Sequence, residues 1–145
     1  MNVRITKLDP RAVIPEYKSS GAAAMDVTII EEATIPPGGH AMLRTGLGFG
    51  LPERHAMYIF PRGSMFTKFH LFLTNHVGIL DEDYCGQNDE LFISVFNPTQ
   101  EASSVPAGAR IAQIIVIPID RITLTEGPAG DINRGGFGST GGHGV

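Results

Sequence analysis

The chain has 145 residues, 42% hydrophobic and 18% charged, with a net charge of -4 and a pI near 5.7. That length suits one domain with a real core, and the acidic balance excludes the basic surface that nucleic acid usually requires. A single cysteine, Cys85, excludes an intramolecular disulfide and a thiolate metal cage, and no apolar run nears the roughly 18 residues that a membrane helix needs.

Ten prolines and eighteen glycines punctuate short β-branched or aromatic runs, the pattern of a compact all-β domain. The first segment, MNVRITKLDPR, alternates apolar and polar residues and lacks the continuous apolar stretch of a signal peptide. A cytoplasmic setting is therefore expected, with no membrane partner. Next, SSGAAAMDVTI (19–29) opens a β-branched run with Asp26, a position typical of strand-end turn residues. Turn signals follow at PPGG (36–39) and LPERH (51–55), and AMYIF predicts another strand. In FPRGSMF (60–66), Arg62 and a hydroxyl stand where that strand gives way to a predicted short helix over SMFTKFHL (64–71). There Ser64 is a candidate cap, and Phe66 and Phe69 fall at helical spacing. Arg62 serves either a surface ion pair or a bidentate phosphate contact.

Further on, NHVGILDEDYCG (75–86) runs from an apolar stretch into Asp81, Glu82, Asp83 and Tyr84. The acidic trio is either a solvated hairpin turn or, at a strand end, a carboxylate that holds and deprotonates water. Asn75 has both the donor and the acceptor to pair with a base edge. LFISVF is a strand, and NPTQ (97–100) and VPAGAR (105–110) are turns. GARIAQIIVIP (108–118) is a mostly buried strand in which Gln113 demands a backbone or ligand partner. After Glu126 the periodicity stops, and RGGFGSTGG (134–142) has too few side chains to pack as a helix or strand. It is either a disordered tail or a phosphate-cradling loop made of Arg134, glycine amides, Ser139 and Thr140, with Phe137 stacking on a base. The five histidines show no metal-ligand spacing.

Five stretches, SGAAAMDV, PRGSMF, TNHVGILDEDYCG, ARIAQIIVIP and RGGFGSTG, resemble in order and spacing the motifs of one family, the trimeric dUTP pyrophosphatases or dUTPases. The resemblance implies an all-β fold, a distorted jelly-roll-like β-barrel over residues 1–126, with residues 127–145 as a flexible glycine-rich arm. It implies a homotrimer with shared active sites, in which the arm closes over substrate on a neighbouring subunit. The implied reaction is hydrolysis of dUTP to dUMP and pyrophosphate by water attack on the α-phosphorus. Such an activity limits uracil incorporation into DNA and supplies dUMP for dTMP synthesis.

By the same resemblance, Asp81 activates the water and Asp26 sits near metal-bound waters. Tyr84 lies against the deoxyribose, Asn75 reads uracil and Phe137 covers it. Arg62, Ser64 and Gln113 hold phosphates, while Arg134, Ser139 and Thr140 take the γ-phosphate. Mg2+ is carried chiefly by the substrate phosphates. One departure stands out: Gly63 occupies a position where the family uses a hydroxyl at the phosphates. The segment CGQNDELF is also a few residues longer than in the shortest members, placing Asn88 to Glu90 in a turn. A dCTP deaminase of the same fold carries a glutamate where this chain reads RTGLGFG (44–50), which has no carboxylate. A nucleotide-binding trimer that has lost catalysis is the remaining alternative, kept alive by Gly63.

Overall fold

The structure, a computed structural model, describes residues 1–132. These residues form eleven strands and one helix. In chain order they are β1 (Arg4–Lys7), β2 (Met25–Thr28), β3 (Ala33–Ile35), β4 (His40–Arg44), β5 (Leu47–Gly50), β6 (His55–Pro61), α1 (Ser64–Phe69), β7 (Phe72–Leu73), β8 (Gly78–Leu80), β9 (Phe92–Phe96), β10 (Ser103–Val105) and β11 (Arg110–Pro118). Four antiparallel sheets result: β2-β11-β6-β8, β4-β9-β7, and the pairs β1-β5 and β3-β10. Most neighbours in a sheet are distant in the chain, as in a jelly roll, and the sheets wrap into the expected distorted barrel. Among the described residues, no helix is long and apolar enough to cross a membrane.

The inward residues of the sheets enclose one core in which Val27, Ile35, Leu47, Met57, Ile93 and Ile114 are 0–1% exposed. Burying each such side chain favours the fold by about 1.5–3 kcal/mol. Two local features fix the connections. Gly46 sits at φ +68°, where an added Cβ would stand 2.8 Å from the Cβ of Asp9, so no other residue fits this turn. Asn97 is fully buried in the turn after β9, its amide donating to the carbonyls of Ile35 (2.9 Å) and Glu101 (2.7 Å) while its oxygen accepts from Thr99.

The short helix forms where expected, but its cap and its buried face differ from the sequence reading. Gly63 is the N-cap and makes no side-chain bond, while Ser64 is the first helical residue. The buried residue is Met65, 1% exposed. Phe66 instead lies 46% exposed and stacks on Phe72 at 5.0 Å. The helix stops because His70 turns left-handed at φ 54°, its N–H bonding to the carbonyl of Phe66 at 2.7 Å. Beyond Pro118, residues 119–132 carry no strand or helix, and Ile122 and Leu124 are 76% and 86% exposed.

Candidate active site

A cleft of about 270 Å³ gathers Asn75, Asp81 and Tyr84. Its construction follows from a change of sheet. β7 pairs with β9, whereas β8 pairs with β6, so the chain must cross between sheets over Thr74–Val77. Asn75 sits at that crossing, tightened by the bonds His76 N–H to Leu73 O and Val77 N–H to Asn75 O, with His76 at φ 58°. β8 then runs antiparallel to β6, Ile59 facing Gly78 and Met57 facing Leu80, and releases Asp81 at its end. A turn returns Tyr84, its N–H bonded to the carbonyl of Asp81 at 3.3 Å. The Tyr84 hydroxyl donates to the backbone carbonyl of Glu90 at 3.1 Å. Of the acidic trio, Asp81 alone lines the cleft. Glu82 is occupied elsewhere, accepting from the Arg54 amide and the Arg121 guanidinium.

A second, more open cleft of about 820 Å³ gathers Asp26, Arg62 and Gln113. Strand register creates it: Asp26 on β2 faces Gln113 on β11, which faces Phe60 on β6, so the three form a row across the sheet. The Asp26 carboxylate accepts from Arg62 Nε at 2.8 Å and from Arg110 Nη1 at 3.0 Å. Arg62 also donates to the Arg110 carbonyl at 3.0 Å. Gln113 finds the backbone partner its half-buried amide requires, donating to Pro61 O at 2.9 Å. Lys18 lines the same cleft and pairs with Glu16, whose carboxyl it holds below the usual carboxylate range. Lys18, Arg62 and Arg110 set three positive charges against Asp26 inside the cleft, a balance suited to phosphate oxygens.

The two clefts lie on opposite sides of β6. Ile59 lines the first and its neighbour Phe60 the second, as the alternation of a strand dictates. No residue lines both clefts, so the described residues of one chain place Asp81 and the Arg62 cluster in separate clefts. Ser64 lines neither cleft. Gly63 has φ -54° and ψ -27°, and an added Cβ there would meet nothing within 4 Å. Arg134, Phe137, Ser139 and Thr140 lie outside the described residues. Among the described residues, no group of three or more His, Cys, Asp or Glu is placed to hold a metal ion.

Sequence reasoning did not single out Arg110 or Lys18. Arg110 was legible in principle, since it opens the strand of Gln113, three positions before it. It also did not foresee Glu90 as a buried residue: the turn expected over Asn88 to Glu90 closes through Asp89 N–H to Gly86 O and Glu90 N–H to Asn88 O, but Glu90 itself is only 8% exposed.

Residues 11–141 match the family model described as dUTPase. The deoxyuridine 5'-triphosphate nucleotidohydrolase of Wolinella succinogenes is 40% identical over 97% of this chain and 95% of its own length. That of Alkaliphilus metalliredigens is 35% identical over 97% of both chains. The Staphylococcus bacteriophage 80alpha dUTPase with dUPNHPP shares the fold at a TM-score of 0.85, with 21% identity over 97% of this chain and 98% of its own. The Streptococcus mutans dUTPase does so at 0.76, with 24% identity over 85% of this chain and 99% of its own. With motifs that line both clefts and a family match over nearly its whole length, the chain belongs to the dUTPase family.

Proposed function

We propose that this chain hydrolyses dUTP to dUMP and pyrophosphate by water attack on the α-phosphorus, in a homotrimer whose sites are each assembled from more than one subunit. The observation that carries the reading is the coexistence, in a member of this family, of a cleft holding Asn75, Asp81 and Tyr84 and a cationic cleft holding Arg62, Arg110 and Gln113. Asn75 reads the uracil edge and Tyr84 packs on the deoxyribose, leaving no room for a 2'-hydroxyl. Asp81, at the mouth of β8, orients the water and accepts its proton as the bond to phosphorus forms. Arg62, Arg110 and Gln113 hold the phosphates from the cationic cleft, and Ser64, outside that cleft in its own chain, joins them in the assembled site. Arg134, Ser139 and Thr140 take the γ-phosphate, and Phe137 covers the base. This chemistry depends mostly on positioning and charge stabilisation, so the arginines matter as much as the base.

The donor set fits Mg2+ carried chiefly by the substrate. Among the described residues, Asp26 is the only carboxylate lining the cationic cleft and already holds two arginines, which suits contact through water rather than an all-protein cage. When bound, the ion supplies charge neutralisation on the phosphate oxygens. Two features support the trimer. The halves of the site face away from each other across β6, so a complete site needs a second chain. Ile122 and Leu124 also alternate with Thr123 and Thr125 in strand fashion, yet among the described residues they are exposed and belong to no sheet.

The test is pyrophosphate release from dUTP, dTTP, dCTP and UTP in parallel, with magnesium and with chelator. Fast, magnesium-dependent release from dUTP alone is expected. Comparable release from dTTP or dCTP, or none from dUTP, refutes the reading.

A further inference from the structure

The segment that follows Tyr84 carries a buried charge that the roles above leave unused. Glu90 is 8% exposed and lines the same cleft as Asp81 and Tyr84. Its carboxylate accepts from Arg44 Nε at 3.2 Å and Nη2 at 3.0 Å, and from the Gly46 amide at 2.8 Å. Arg44 is steered from its far side by Glu31 at 3.1 Å and Asp9 at 3.6 Å. The backbone beside Glu90 is stitched to the same turn: Leu91 N–H donates to Leu47 O at 2.7 Å, and Thr45 Oγ1 donates to Leu91 O at 2.6 Å. The carbonyl of Glu90 is thereby fixed in space. It is this carbonyl that accepts the Tyr84 hydroxyl.

A tyrosine that is 39% exposed in the cleft has two soft torsions and little packing to restrain them, so the bond at its hydroxyl sets where the ring stands. A buried glutamate is costly unless paired and hydrogen-bonded; here it is fully engaged, and its placement has a consequence at the site. We propose that Glu90, held by Arg44, is a positioning residue that fixes the Tyr84 ring and thereby sets the rejection of ribonucleotides. The proposal rests on the placement of Tyr84 at the sugar. Discrimination against a 2'-hydroxyl by exclusion requires a wall that does not yield, and the Glu90–Arg44 pair ties that wall to the end of β4 and the turn before β5.

The test compares kcat/KM for dUTP and UTP in the full-length wild type, in Tyr84→Phe, in Glu90→Gln and in the double variant. Tyr84→Phe removes only the hydroxyl. Glu90→Gln keeps the volume and an acceptor for Gly46 but loses the charge that holds Arg44. Each single variant should lower the dUTP/UTP ratio roughly threefold to tenfold, the worth of one hydrogen bond. The double variant should fall no further than the lower single one, because both act on one wall. Should Glu90→Gln fail to fold, Arg44→Lys, which retains the charge but not the fork, reads the same ratio. An unchanged ratio with a lowered melting temperature overturns the proposal and leaves Glu90 as scaffolding, as do effects that multiply in the double variant. A wild type that hydrolyses dUTP and UTP alike overturns the placement of Tyr84 at the sugar, and the proposal with it. A wild type that discriminates while the Glu90 and Arg44 variants discriminate equally well overturns the role of Glu90 alone.

Discussion

Replacing Asp26 by asparagine separates the two jobs of the phosphate cleft. The carboxylate is 13% exposed and is held by Arg62 and Arg110 at 2.8 and 3.0 Å, side chains that are 26% and 44% exposed. Asparagine keeps one acceptor of similar size, so one of the two bonds survives and the other is lost with the charge. A hydrogen bond to a charged group is worth about 1.5–3 kcal/mol; solvent at Arg110 lowers that here to about 1–2 kcal/mol. For a chain of this size the melting temperature should fall by about 2–8 °C. The phosphate side moves the opposite way. Removing one negative charge about 8 Å from a bound phosphate, at an effective dielectric between about 20 and 80, favours the anion by about 0.5–2 kcal/mol. Pyrophosphate without metal should therefore bind roughly 2- to 30-fold more tightly by calorimetry at low salt, while kcat for dUTP should fall on the proposed role of Asp26 beside metal-bound waters. A variant that binds pyrophosphate more weakly than wild type, or melts higher, refutes the assignment of Asp26 as the charge that balances the two arginines.

Asp81→Asn should lower kcat by a factor of about 100 to 10,000, the usual worth of a general base, with dUTP affinity by calorimetry nearly unchanged; loss of binding alongside turnover would point to a structural role. Gly63→Ser meets open space at an ordinary φ, so it should leave the melting temperature within about 1 °C and raise kcat by about a hundredfold by restoring a phosphate donor. An unchanged rate would show that Ser64 already supplies that hydroxyl. Asn97→Ala leaves the Ile35 carbonyl without the amide donor but removes only one of two donors to the Glu101 carbonyl, which Thr99 Oγ1 still reaches at 3.0 Å, and should cost about 1–3 kcal/mol in urea unfolding, the range for a buried group left unpaired. The bond from Arg11 holds the Asp9 carboxyl well below its usual range. A carboxyl lowered in the folded state contributes its full stability above the ordinary value near pH 4 and loses it as pH falls below. The melting temperature of wild type should therefore drop more steeply between about pH 5 and 3 than that of Asp9→Asn.

Five strands were legible because their side chains announce them, whereas β4 and β5, of five and four residues, were not singled out. VRITKL, DVTII, AMYIF, LFISVF and IAQIIVIPI contain or overlap β1, β2, β6, β9 and β11. β3, β7, β8 and β10 span two or three residues each, too few for any period to register. The helix was visible, yet its orientation was not. Which of Met65 and Phe66 turns inward depends on where β10 and β11 pass, and the sequence around Ser64 carries no trace of that. The site was legible as local motifs and illegible as an arrangement. Nothing near Asp26 indicates that Arg110 will reach it from 84 positions away; that follows only from the pairing of β2 with β11. Glu90 is the sharper case, since a carboxylate in a polar run reads as solvated until the Arg44 that neutralises it is placed beside it.

The opposed facing of Ile59 and Phe60 on a single strand has a genetic consequence. If sites are completed between subunits, a lesion at Asp81 and a lesion at Arg62 damage different halves. In an assembly that mixes the two kinds of subunit, some interfaces would join an intact carboxylate from one chain to an intact cationic cleft from another. Two null alleles would then complement within one cell, whereas two alleles broken in the same half would not. The pattern of rescue across a set of mutants would sort residues by face of β6.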